Sequence, residues 1–103
     1  MERDLLRERL QRALDYMRPL MKSGKYFVLG INQSLAESYI LTRYNCMRSI
    51  LAQLDKGVSL LDLRKKVEER IALYAKRDDQ EGRLIKGAFE QVLSHIKEIQ
   101  EEN

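Results

Sequence analysis

Residue types that support catalysis are scarce in this chain, which has one histidine, His95, and one cysteine, Cys46. A metal centre, or a nucleophile with its base, needs several such groups at fixed spacing, and neither residue has a companion of that kind. Asp78, Asp79 and Glu81 form an acidic cluster, but acids are favourable in the first turn of any helix. We therefore expect no catalytic residues, no metal site, no cofactor and no enzymatic activity.

The two isolated groups have simpler interpretations than chemistry. His95 lies on the flank of an apolar stripe, which is typical of a partly buried boundary residue. Cys46 lies at the edge of an apolar arc, where a small buried thiol is the more common situation. A single cysteine cannot form an internal disulfide, and this favours a reducing, cytoplasmic location. No apolar run approaches the length that spans a bilayer, so we expect no membrane partner.

Arg43 is the charged residue with the most unusual position. On a helical wheel it falls among Tyr39, Met47 and other apolar residues, and Tyr44 follows it directly. A buried guanidinium is costly unless it is paired. One interpretation is that its stem lies along the core and its head reaches water or a neighbouring carboxylate. The other is that this face is an interface with Tyr39, Arg43, Tyr44 and Met47 as its anchors, because Arg and Tyr are enriched at binding hot spots.

The basic residues are concentrated in the first half of the chain. Residues 1–56 hold ten Lys/Arg and six Asp/Glu, whereas residues 57–103 hold nine and ten. Many of these charges have an opposite charge three or four residues away on the same predicted helix. An uncompensated, polar and weakly basic set remains, and such a surface is a candidate for contact with phosphates. Its members are Lys22, Lys25, Asn45, Arg48 and Lys56.

Four helices are predicted to position these residues, over 2–18, 32–54, 59–77 and 79–101. Three of them carry narrow apolar stripes with spacings of three and four residues. The stripes are Leu6, Leu10, Ala13, Met17 and Leu20; Leu60, Leu63, Val67, Ile71 and Tyr74; and Ile85, Phe89, Val92, Ile96 and Ile99. Such stripes are typical of antiparallel bundles. We expect one all-α domain over 1–103, a four-helix antiparallel bundle of two helical hairpins, with a homodimer as a further option.

Three local features refine this prediction. Pro19 removes a backbone donor and crowds the preceding turn, so we expect it to end or kink the first helix. Ser59 is a natural N-cap and follows turn material that includes Gly57. The helix over 32–54 is apolar over about half its circumference, and we place it centrally for that reason.

The segment 26–29, Tyr-Phe-Val-Leu, does not read plainly as helix. It is β-prone by composition, but the chain offers no second strand to pair with it. A helical turn or an extended link packed on the bundle is favoured over pairing with the edge of another copy.

The segment from Gly57 to Val67 resembles the turn and recognition helix of helix-turn-helix DNA-binding proteins. It opens with Gly-Val-Ser and places apolar residues at Leu63 and Val67. The resemblance implies base contacts from Leu60, Leu61, Arg64 and Lys65. Together with the basic set, the candidate nucleic-acid contacts are therefore Lys22, Lys25, Asn45, Arg48, Lys56, Arg64 and Lys65.

Two functions follow from these features. The favoured one is a small, non-catalytic interaction or regulatory protein that acts through a helical surface, with another protein or a second copy as its partner. The alternative is direct nucleic-acid binding through the basic face of 32–54 and its flanking lysines, or through 57–67. Salt dependence separates the two, because phosphate contacts weaken steeply as the salt concentration rises.

Overall fold

The computed structural model of the protein describes residues 2–23 and 33–102, with the side chains of 2–20 and 38–101. This part of the chain forms four α-helices: α1 (Glu2–Ser23), α2 (Gln33–Asp55), α3 (Leu60–Ala75) and α4 (Gln80–Glu102). The predicted all-α four-helix bundle is confirmed. No helix in the described ranges combines the length and apolar character that a bilayer span requires. The segment 26–29 lies outside these ranges, so its conformation stays a prediction.

Consecutive helices pack as two antiparallel hairpins, α1 against α2 and α3 against α4. Side-chain contacts between opposite ends show the directions. Arg3, at the start of α1, donates to the carbonyl oxygen of Leu54 at the end of α2, at 2.6 Å. Arg64, near the start of α3, donates to the side chain of Gln100, near the end of α4. The two hairpins then join through the contacts of α4 with α1 and α2.

Helix α4 is the common packing partner, since it lies against each of the other three helices. In the described residues, α2 packs on α1 and α4, whereas α3 packs to a comparable extent on α4 alone. The prediction that the second helix is the central one is therefore wrong. The width of an apolar arc shows how much surface a helix can bury, but it does not show which helices cover that surface.

The core is apolar throughout the described residues and contains no buried polar or charged side chain. It extends along all four helices. Its members are Leu6, Leu10, Leu14 and Met17 of α1; Ile40, Cys46, Met47, Ile50 and Leu54 of α2; Leu60, Leu63 and Val67 of α3; and Ala88, Val92, Ile96 and Ile99 of α4. Full burial of each larger side chain contributes about 1.5–3 kcal/mol, so this cluster is the main stabilising element of the bundle.

Pro19 lies inside α1, which continues to Ser23. The expected end of the helix at Arg18 is therefore not observed. A proline in a helix interior costs about 3 kcal/mol through the lost hydrogen bond and the clash with the preceding turn. Packing on both sides of it offsets this cost, because Met17 is 8 % exposed and Leu20 packs against the core. Tertiary burial decides the helix length here, not the local propensity.

The turn between α2 and α3 has the hydrogen bonds of a Schellman cap. Val58 N–H donates to the Gln53 carbonyl and Gly57 N–H donates to the Leu54 carbonyl, at 3.1 and 3.0 Å. Gly57 has φ +89°, in the left-handed region. Ser59 then caps α3, since its hydroxyl oxygen accepts from the Asp62 N–H at 3.1 Å. This turn fixes the separation of α2 from α3 at one end.

We expect Gly57→Ala to destabilise the protein by about 1–2 kcal/mol, the cost of a left-handed conformation for an L-residue. A Cβ at this position meets no atom within 4 Å, so the loss reflects backbone strain and not a clash. Urea denaturation measures it. Gly57→Asn is the matched variant and should lose less, because Asn tolerates this region better. Equal stability of Gly57→Ala and the wild type would contradict the assignment of strain to this turn.

Candidate functional site: a groove between α2 and α3

A groove of about 560 Å³ lies between α2 and α3, and Phe89 of α4 also lines it. The groove exists because α2 and α3 each pack on α4 and do not pack closely on each other. Three helices line it. The lining residues are Ser49, Ile50 and Gln53 of α2; Lys66, Val67, Glu69, Arg70 and Leu73 of α3; and Phe89 of α4.

The bottom of the groove is apolar. Ile50 and Val67 belong to the core and are 2 % and 0 % exposed. Phe89 packs against the same core and stacks on Tyr74, with the ring centroids 6.5 Å apart. Leu73 stands at the upper edge and remains 52 % exposed. No residue of the described ranges covers this apolar surface between the two helices.

The rim of the groove is polar and differs between its two sides. On the α2 side, Ser49 and Gln53 are uncharged. On the α3 side are Lys66, Arg70 and Glu69, all exposed. Lys66 donates to the side-chain oxygen of Gln53 at 3.5 Å, which links the two walls. Within the described residues, Arg70 makes no hydrogen bond, ion pair or ring contact.

The predicted interface residues do not form one surface. Met47 is 1 % exposed and belongs to the core. Tyr39 lies on the α4 side of α2 with the Arg43 guanidinium 4.3 Å from its ring centroid. Tyr44 lies toward α1, where its hydroxyl oxygen accepts from Arg18 at 3.4 Å and its ring is 5.9 Å from the Arg48 guanidinium. Tyr39 and Arg43 therefore lie together, whereas Tyr44 lies on the α1 side of α2 and Met47 in the core.

Arg43 joins α2 to α4. Its guanidinium donates to the side chain of Gln91 and, at 3.5 Å, to the carbonyl oxygen of Gly87. A Cβ at Gly87 would be 3.4 Å from the guanidinium, an ordinary van der Waals contact. The half-buried guanidinium thus reaches neutral oxygens of α4 and no carboxylate of the described residues. Its Nε is buried and finds no hydrogen-bond partner in the part of the chain that the structure describes.

The candidate nucleic-acid residues are also dispersed. Lys25 and the side chain of Lys22 lie outside the described residues. Asn45 and Arg48 are exposed neighbours on α2, Lys56 is exposed in the turn after it, and Lys65 is exposed on α3. Arg64 is turned toward α4 and pairs with Glu68 at 3.4 Å. Leu60, a base contact under the helix-turn-helix resemblance, is 8 % exposed and lies in the core.

The arginines of α1 are mostly committed to intramolecular contacts. Arg3 bonds a backbone carbonyl, and Arg7 pairs with Asp55 of α2. Arg9 pairs with Glu98 of α4 at 2.5 Å. Within α1, Arg12 pairs with Glu8 and Arg18 with Asp15. The positive charge of the first half of the chain therefore belongs largely to contacts that orient α1 on its neighbours.

Cys46 and His95 are both perturbed by burial. Desolvation raises the pKa of Cys46 to about 12, and the nearby Arg43 opposes this only in part, so the thiol stays protonated. Burial lowers the pKa of His95, the Arg9 guanidinium lowers it further, and Glu98 opposes both. Its Nδ1 is buried and has no hydrogen-bond partner among the described residues. No group of His, Cys, Asp and Glu residues in the described ranges is arranged to hold a metal ion.

The groove was not among the sites predicted from the sequence. Leu73 gave the available signal, because it lies off the apolar stripe of α3, which runs through Val67, Ile71 and Tyr74. Helix periodicity places Leu73 near Lys66 and Arg70 on the surface of α3. It does not predict the distance between α2 and α3, on which the groove depends.

Comparison of the chain with protein-family models, with curated proteins and with solved structures finds no match. Any functional argument therefore depends on the geometry described above.

A double-mutant cycle measures the contact of Arg43 with Gln91. We expect Arg43→Met, Gln91→Met and the double variant to give a coupling free energy of about 1 kcal/mol, because a half-buried hydrogen bond to a charged donor is being removed. The exposed pair Glu8–Arg12 is the control and should couple by no more than about 0.5 kcal/mol. A coupling no larger than that of the control would contradict the role of Arg43 as a link between α2 and α4.

The lowered pKa of His95 predicts a pH effect on stability. The unfolded state takes up the proton at about pH 6.5, whereas the folded state resists it, so stability should fall as the pH drops below about 6.5. Denaturation at about pH 7.5 and pH 5.5 measures this loss, and the His95→Gln variant should show a smaller one. Equal losses in the two proteins would rule out His95 as the source.

Proposed function

We propose that the protein is a non-catalytic interaction module that binds a helix of another protein in the groove between α2 and α3. The observation that carries this proposal is the apolar surface at Leu73 and Phe89, which no described residue covers. This surface lies between two helices and is bordered by polar side chains. Burial of exposed apolar area at such a surface is the main favourable term in protein association.

The dimensions of the groove suit a helix. Its α3 wall extends from Lys66 to Leu73, about 10 Å at about 1.5 Å per residue. This is also the distance between residues i and i+7 of a helix. Helices that bind in grooves insert apolar side chains from positions i, i+3 or i+4, and i+7. A volume of about 560 Å³ accommodates a few apolar side chains and not a whole helix, so the bound helix would lie on the groove with its anchors inserted.

A displayed library of amphipathic helical peptides tests this proposal. The library carries apolar residues at i, i+3 or i+4, and i+7, and varies the flanking positions. We expect peptides to be enriched on the wild type and to bind Leu73→Asp at least about tenfold more weakly, because a carboxylate then occupies the apolar edge. Leu73 is already half exposed, so this variant should keep its fold.

Leu61→Asp is the matched control for this experiment. Leu61 is on the same helix and is 60 % exposed, but it does not line the groove. Binding should survive in this variant. Peptides that bind Leu73→Asp as well as the wild type would contradict the groove as the binding surface, and a library without enriched peptides would contradict the function itself.

The same protein preparation tests the other expected partners. Sedimentation of the wild type and of Leu73→Asp reports whether a second copy covers the groove, in which case the variant would be the smaller species. Retention on nucleic acid at low and high salt reports the alternative function. Tight retention that is lost steeply as salt rises, together with no enriched peptide, would favour nucleic-acid binding over our proposal.

A further inference from the structure

We propose that the helix bound in the groove carries carboxylates along one flank and lies with that flank against α3. This inference builds on the proposed function and specifies the chemistry of the partner. It depends on the difference in charge between the two walls of the groove.

The α2 wall is uncharged. Ser49 and Gln53 form its rim, and no acidic residue occurs in the sequence between Glu37 and Asp55. A polar, neutral flank of the partner is therefore the best match on this side. A charged side chain placed there would find no countercharge and would lose part of its hydration.

The α3 wall is basic at the groove edge. Lys66 and Arg70 are four residues apart and thus neighbours on the helix surface, about 6 Å from each other. Within the described residues, Lys66 interacts with the neutral oxygen of Gln53 alone, and Arg70 has no polar partner. Other arginines of the second hairpin differ, since Arg64, Arg77 and Arg83 each pair with an acid.

Glu69 is the one acidic residue in the groove lining, and it does not cancel this pair. It lies three residues from Lys66 and four from Leu73, so it shares their side of α3. In the described residues it forms no ion pair with Lys66 or Arg70. Two cations and one carboxylate leave this wall with a net positive charge.

Two carboxylates at i and i+4 of the partner match Lys66 and Arg70, while its apolar residues face Phe89 and Leu73. Such rim pairs are exposed and contribute little each, but they favour one orientation of the helix and reject the opposite charge. For two pairs we expect a preference for Glu over Lys of about 3- to 10-fold.

The library described above tests this inference when Glu, Lys, Gln and Ser are all allowed at the flanking positions. We expect the wild type to enrich Glu on one flank. The Lys66→Glu/Arg70→Glu double variant should enrich Lys at the same positions. Raising the salt concentration should weaken both preferences, because exposed charges are screened.

Lys65→Glu/Lys76→Glu is the matched control, since it changes the net charge equally at two exposed positions of α3 and its neighbouring turn outside the groove. It should retain the preference for Glu. A reversal in this control would assign the effect to overall charge and overturn the inference. Enriched peptides without charge preference, still sensitive to Leu73→Asp, would overturn the acidic partner and leave the groove function intact. If no peptide is enriched, both proposals fail.

Discussion

Burial of the apolar stripe of α4 against three helices is the interaction on which the rest of the structure depends. Ala88, Val92, Ile96 and Ile99 are almost completely buried, and the other helices are arranged around them. Because α2 and α3 both pack on α4, their own contact is not needed to complete the core. The groove between α2 and α3 thus follows from the packing of both helices on α4. The capped turn at Gly57 and Ser59 connects α2 to α3 and fixes their separation at one end of the groove.

The charges of the chain serve two different purposes in this arrangement. The α1 arginines pair with acids or with a backbone oxygen, and contacts such as Arg7–Asp55 and Arg9–Glu98 connect α1 to its neighbours. Exposed ion pairs contribute at most about 1 kcal/mol each, so they orient the helix more than they stabilise it. Lys66 and Arg70 have no acid partner in the described residues, and their charge remains available to a bound molecule.

Much of the fold could be predicted from the sequence, because helix periodicity and capping are local properties. The apolar stripes predicted Leu6, Leu10, Val92, Ile96 and Ile99 as core residues, which is confirmed. Capping preferences predicted Ser59 as an N-cap, which is also confirmed. The continuation of α1 through Pro19 could not be predicted, since it depends on packing that only the complete bundle provides. The partners of Arg43 could not be predicted for the same reason: Gln91 and the Gly87 carbonyl are 44 or more residues away along the chain.

The groove shows most clearly what periodicity leaves undetermined. The apolar arc of α2 covers about half of the helix circumference, a pattern that predicts a central position. In the structure, Ile50 is the one arc residue in the described groove lining and is 2 % exposed, whereas Ser49 and Gln53 of α2 lie outside the arc. A broad apolar arc therefore does not show by itself how many helices cover it, because contact with α1 and α4 is enough to bury Met47 and Ile50. The exposed apolar edge of the groove comes from Leu73 of α3 instead, and no described residue covers it.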